Sequence, residues 1–150
     1  GGASSPAPMR FAWMSDIILP SSRPRTLPQV LIVEDDTDLG AFLVDQVQLG
    51  GRWGATAVTT LAAARQALRS GPLDAPPFDA MILDVGLPDG DGRTLCAALR
   101  AEGLVLPIII LSGRAEEEDV VQGLDSGADA YVRKPFQAAE LTARLNALLG

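Results

Sequence analysis

Three short runs in this 150-residue chain are apolar from end to end: Val30-Leu31-Ile32-Val33, Ala80-Met81-Ile82-Leu83 and Pro107 to Leu111. A strand with one face in water alternates apolar and polar side chains, whereas a strand apolar throughout is buried on both faces. Each run is followed by a stretch with apolar residues at helical spacing, so the pattern points to a parallel sheet covered by helices on two sides. Two weaker runs, Trp53 to Val58 and Tyr131 to Arg133, bring the strands to five. A helix capped by Asp36 or Thr37 runs to Leu49 and is ended by Gly50-Gly51; a second, capped by Thr59 or Thr60, runs through Ser70. A third covers Arg93 to about Glu102. A fourth covers Glu116 to Ser126, its acidic start Glu116-Glu117-Glu118-Asp119 having the right sign for a helix N-terminus. A fifth covers Gln137 to Leu149. By composition, Gly86 to Gly92 is a loop. The expected fold is α/β: a five-stranded parallel sheet of order 2-1-3-4-5, doubly wound with five helices.

Residues 1–28 stand apart. They hold five of the 11 prolines and five serines, and carry three Arg and one Asp, for a charge of +2. Residues 29–150 hold 9 basic and 18 acidic residues, or −9. The first part reads as a disordered leader or cloning remnant, the second as one folded domain. Apolar residues are 47% and charged residues 21%, an ordinary globular balance. No stretch approaches the roughly eighteen apolar residues of a membrane span. The net charge of −7 argues against direct nucleic-acid binding. One cysteine, Cys96, permits no internal disulfide and fits a reducing, cytoplasmic location. Absent histidine removes Ser-His-Asp and Cys-His catalysis, and a site needing an ammonium has one candidate, Lys134.

Ligands of such folds bind beyond the carboxyl ends of the strands, where the winding direction switches. There the first strand delivers Glu34 and Asp35, the third Asp84, the fourth Ser112 and the fifth Lys134-Pro135. Taken singly, each has a plain reading: Asp84 as a helix cap, Glu34 or Asp36 as a helix-dipole acid, Ser112 as a turn residue, Lys134 as a surface lysine. Their coincidence at four strand ends favours a site. Three carboxylates so close repel by roughly 1–4 kcal/mol per pair at effective dielectrics between 80 and 20. A raised pKa or a hard divalent cation relieves this, and oxygen ligands without His or Cys suit Mg²⁺ or Mn²⁺. A metal beside a carboxylate nucleophile, with a lysine and a hydroxyl for the equatorial oxygens, is equipment for phosphoryl transfer. Other sites fit less well. The phosphate cradle of a nucleotide domain is replaced by Glu34-Asp35-Asp36. Asp84-Val85-Gly86 lacks the second acid of haloacid-dehalogenase-type phosphatases. Asp89-Gly90-Asp91-Gly92 hints at a calcium loop, but its twelfth position is Arg100 rather than Glu.

Leu31 to Asp36, Ile82 to Gly92, Ile108 to Arg114 and Tyr131 to Phe136, in that order and spacing, resemble the receiver domain of bacterial two-component response regulators over residues 29–150. Gly123 to Ala130 and Glu140 to Arg144 are similar to receivers that control winged-helix (OmpR/PhoB-like) DNA-binding domains. The resemblance implies that Asp84 accepts a phosphoryl group from a sensor histidine kinase. It implies that Glu34, Asp35, Asp84 and the Gly86 carbonyl hold Mg²⁺, and that Ser112 and Lys134 grip the phosphoryl oxygens. It further implies that Tyr131 swings inward as Ser112 moves, and that the Lys134–Pro135 bond is cis. Such receivers pair through the fourth helix, fifth strand and fifth helix. Here Gly113 replaces the usual Ala, while Val120 and Ala130 replace residues of intersubunit ion pairs, although Glu140 and Arg144 remain.

The leading expectation is therefore a phosphoacceptor switch domain that is not itself an enzyme. It regulates transcription through a DNA-binding domain outside this chain. The alternatives are a receiver-fold interaction module that takes no phosphate and a metal-dependent phosphatase, for which no water-activating base is found.

Overall fold

In the computed structural model, residues 27–71, 75–113 and 126–149 are described. Strands β1 (Gln29–Val33), β2 (Gly54–Val58), β3 (Ala80–Asp84), β6 (Ile108–Ser112) and β7 (Ala130–Arg133) form one sheet of order β2-β1-β3-β6-β7, parallel at every pairing. This is the expected 2-1-3-4-5 order. The helices are α1 (Thr37–Gln48), α2 (Leu61–Leu68), α3 (Gly92–Ala101) and α4 (Ala138–Leu149). The helix expected over Glu116 to Ser126 falls largely on residues 114–125, outside the described residues, as does Val120.

Alternate residues of the strands separate into two cores. Leu31, Val33, Met81, Leu83, Ile108 and Ile110 meet α2 and α3 through Ala64, Leu68, Leu95, Cys96 and Leu99. Val30, Ile32, Ile82, Ile109, Leu111 and Val132 meet α1 and α4 through Leu43, Val47, Leu141 and Leu145. Complete burial of such a side chain contributes about 1.5–3 kcal/mol, which is why the apolar runs dictate the sheet. Because every pairing is parallel, every strand carboxyl end emerges on the same edge of the sheet.

Two local features depart from the expected boundaries. Pro28, which composition assigns to the leader, already joins the fold: its carbonyl accepts the Gly54 amide at 2.9 Å. Gly86 to Gly92 is more than a loop. Gly86–Leu87 (β4) and Gly90–Asp91 (β5) pair antiparallel around Pro88-Asp89, making a minimal hairpin. Strands of two residues carry no periodicity, so composition alone shows only the turn.

Candidate functional site

The site grows out of how three strands stop. β1 ends at Val33, and Asp36 caps α1, its Oδ1 accepting the Asp38 and Leu39 amides at 3.0 and 3.1 Å. Asp36 is thus the helix-dipole acid of the trio. Glu34 instead turns inward: its amide donates to the Val58 carbonyl at 3.0 Å, and its Oε2 accepts the Asp36 amide at 3.1 Å. β3 ends on Asp84, which caps nothing; α3 is capped by Asp91. The chain turns back sharply here, because a Cβ on Gly92 would lie 2.2 Å from the Asp84 carbonyl oxygen, a contact only glycine avoids. Beyond β7, the Lys134 amide donates to the Ser112 carbonyl at 2.6 Å, and the Lys134–Pro135 peptide is cis.

Glu34, Asp84 and Ser112 are the buried polar side chains among the described residues, 2%, 5% and 1% exposed. Carboxylate oxygens of Glu34, Asp84 and the exposed Asp35 lie within 4.8 Å of one another. Lys134 Nζ spans two of them, 3.1 Å from Glu34 Oε1 and 3.2 Å from Asp84 Oδ1. The fold thus brings Glu34, Asp35, Asp84, Ser112 and Lys134 to one edge, with Gly86 in the first strand of the hairpin.

The electrostatics follow from that crowding. Burial pushes the Asp84 carboxyl above its ordinary value, against the pull of Lys134. Burial also raises Glu34, aided by the charge of Asp84 and opposed by the Asp36 amide and Lys134. Burial works against the Lys134 ammonium, yet its two carboxylate partners outweigh it and raise its pKa. One cation therefore serves two desolvated acids, with Asp35 adding more negative charge beside Asp84. The donors are all oxygens and incompletely neutralised, which fits a hard divalent cation.

Tyr131 packs its ring against the Leu31-to-Ile110 core, and its hydroxyl is buried without a hydrogen-bond partner. Gly113 adopts no left-handed backbone and has open space where a Cβ would stand, so nothing at this position demands glycine. Residue-type reasoning missed Asp89. It receives the Leu61 and Ala62 amides from the start of α2, and the only hint in the sequence was its place in a calcium-like string.

Comparison with known proteins agrees with this geometry. The profile of the response regulator receiver domain matches residues 30–146. The transcriptional regulatory protein PrrA of Mycobacterium tuberculosis is 44% identical over 124 residues, covering 83% of this chain and 51% of PrrA. The chain spans about half the length of the curated relatives it matches. A Francisella response regulator receiver domain superposes with a TM-score of 0.74 at 30% identity, covering 81% of this chain and 95% of that one. DrrB, an OmpR/PhoB homologue of Thermotoga maritima, gives a TM-score of 0.71 at 26% identity, over 83% of this chain and 53% of that one. No helix among the described residues is long and apolar enough to cross a membrane. Fold, acid cluster and sequence agree: this chain belongs to the response regulator receiver domain family of two-component regulation.

Proposed function

We propose that this domain is a phosphoacceptor switch: Asp84 takes a phosphoryl group from a phosphohistidine on a sensor histidine kinase. The observation that carries the reading is the Lys134 bridge between Glu34 and Asp84, 3.1 and 3.2 Å long, at the buried edge beside Ser112. In the reaction an Asp84 carboxylate oxygen attacks phosphorus, an O–P bond forms, and the N–P bond to the donor imidazole breaks. The donor ring, already protonated on its other nitrogen, leaves as neutral imidazole, and Asp84 becomes an acyl phosphate. Residues 1–150 contain no histidine, so the phosphohistidine lies outside them, or a small acyl phosphate takes its place.

Glu34, Asp35, Asp84 and the Gly86 carbonyl are the proposed Mg²⁺ ligands. When bound, the cation offsets charge on the acids and on the transferring phosphoryl oxygens. Lys134 and Ser112 are the proposed donors of charge-assisted hydrogen bonds to those oxygens. A product carrying about −1.5 to −2 charge then favours loop arrangements that make these bonds. The buried, unpartnered hydroxyl of Tyr131 supports its proposed part in that rearrangement. Beside Lys134, Leu39, Phe42, Pro135 and Phe136 line an apolar hollow of about 240 Å³, with Phe42 46% exposed. Apolar surface next to the acceptor supports docking of a protein donor.

The output is proposed to be transcriptional, through a DNA-binding domain outside this chain, by analogy with PrrA. Pairing of two copies is proposed through the face that includes β7 and α4. Glu140 and Arg144 are exposed there, whereas Ala130 is buried.

Incubation with acetyl phosphate and Mg²⁺, followed by intact mass, tests the acceptor. One phosphoryl group should be gained by the wild type and none by Asp84→Ala. An unchanged wild-type mass, or equal gain in the variant, overturns the reading. Sedimentation with and without beryllofluoride tests pairing, and a monomer in both conditions rejects it.

A further inference from the structure

The hairpin between Asp84 and α3 holds a second device. α2 has eight residues, and its local cap accounts for part of its first turn: Thr60 Oγ1 accepts the Ala63 amide at 3.0 Å. The Leu61 and Ala62 amides remain, and a helix start leaves such donors unpaired unless something outside the helix accepts them. Both are taken by one side chain far along the sequence. Asp89 Oδ1 accepts from Leu61 N at 2.9 Å and Oδ2 from Ala62 N at 3.1 Å. One amide per carboxylate oxygen fixes the orientation of the carboxylate as well as its position.

Asp89 lies in the two-residue turn between β4 and β5, three residues beyond Gly86. The hairpin tip also rests against the same helical turn, since a Cβ on Gly90 (φ +149°) would come 3.0 Å from Leu61 Cδ1. The base of the hairpin is tied separately. The Gly92 amide donates to the Val85 carbonyl at 2.9 Å, and Asp91 caps α3 while pairing with Arg93 at 2.8 Å. Both acids of the calcium-like string are therefore engaged with protein groups. Gly86, in between, is exposed, and nothing stands within 4 Å of where its Cβ would be. It has no side chain to anchor it and is held through its backbone, paired with Asp91 across the hairpin, so the position of its carbonyl follows that of the hairpin as a whole.

We infer that Asp89 is a positioning residue for the divalent cation: by tying the hairpin tip to the first turn of α2, it holds the Gly86 carbonyl where a metal ligand is needed. The inference rests on the metal reading of the preceding section. It differs from simple helix capping, which would serve α2 alone. Partners that orient metal ligands typically change affinity 10–100-fold when removed. Because binding linkage is reciprocal, cation binding should in turn strengthen the bond between hairpin and α2.

The test uses the full 150-residue chain, with Mg²⁺ titrated against amide NMR shifts and with amide exchange read at Leu61 and Ala62. Asp89→Ala should bind Mg²⁺ about tenfold more weakly. Asp89→Asn, which keeps one acceptor oxygen, should fall between it and the wild type. Mg²⁺ should slow exchange at Leu61 and Ala62 in the wild type and leave it unchanged in Asp89→Ala. Faster exchange in Asp89→Ala with wild-type Mg²⁺ affinity would show a helix cap and nothing more, overturning the inference. Unchanged Mg²⁺ affinity in a native-like Asp89→Asn whose Leu61 and Ala62 amides exchange faster than in the wild type would overturn it equally. If the wild type itself shows no saturable Mg²⁺ binding at Glu34, Asp35 and Asp84, it is the metal reading that fails.

Discussion

The two ends of the sheet treat charge in opposite ways. At the amino-terminal end, the Arg100 guanidinium donates to the carbonyls of Gly127, Leu104 and Leu106 at 2.9, 3.0 and 2.7 Å, and to Asp129 Oδ2 at 2.9 Å. Asp129 Oδ2 also accepts the Ile108 amide, where β6 begins. The charges there are matched, and most of their partners are backbone groups that cannot move away. At the carboxyl-terminal end, two buried carboxylates share one half-buried lysine, and both are pushed up in pKa by burial. A satisfied network rigidifies, whereas an undersatisfied one costs stability until something binds. One end fastens α3 to β6 and β7; the other leaves two buried acids to one lysine.

The sharpest break in this comparison is a pair of substitutions with opposite signs. Arg100→Ala removes four hydrogen bonds and should destabilise the fold by about 2 kcal/mol. Denaturant unfolding measures the loss, while phosphoryl uptake at Asp84 should persist wherever the variant is folded. Asp84→Asn should do the reverse. It removes one of two crowded acids and should raise metal-free stability by about 1 kcal/mol, as replacement at a strained functional site commonly does. It should take up no phosphoryl group. Stabilisation by Arg100→Ala, or marked destabilisation by Asp84→Asn without metal, would show that the ends do not differ as described.

The same contrast explains what the sequence made legible. Runs such as Ile108 to Leu111 must be buried on both faces, so sheet order and helix placement follow from a strong physical constraint. Glu34, Asp84, Ser112 and Lys134 were readable because a parallel sheet has only one edge where strand ends converge. Arg100 and Asp89 were not. Their partners are backbone groups 27 or more residues away in the case of Gly127, Leu61 and Ala62, and no side-chain pattern marks such bonds. Arg100 entered only as the residue that spoils a calcium loop, and Asp89 as a fragment of that loop. The sequence also left Asp36 and Glu34 interchangeable as helix-dipole acids. The cap geometry separates them, since Asp36 faces the amides of α1 while Glu34 faces Lys134.

The smallest effect expected is in the pH dependence, and its sign follows from the raised acids. Unfolded, Asp84 and Glu34 ionise near 3.8 and 4.5; folded, both hold their protons to higher pH. Between those limits the native state binds more protons than the unfolded chain, so metal-free stability should fall as pH rises through mildly acidic values. Lys134 acts in a different window. Its pKa is raised by its partners, so its pairing stabilises the fold below about 10.5 and is lost as pH climbs through the raised value. Urea unfolding from pH 4 to 7 in EDTA should therefore show a declining component that shrinks in Asp84→Asn and survives in Arg100→Ala. With saturating Mg²⁺ it should reverse, because ionised carboxylates bind the cation and protonated ones do not. A metal-free profile that rises with pH, and is identical in Asp84→Asn, would mean that the crowded acids are already compensated and the two ends alike.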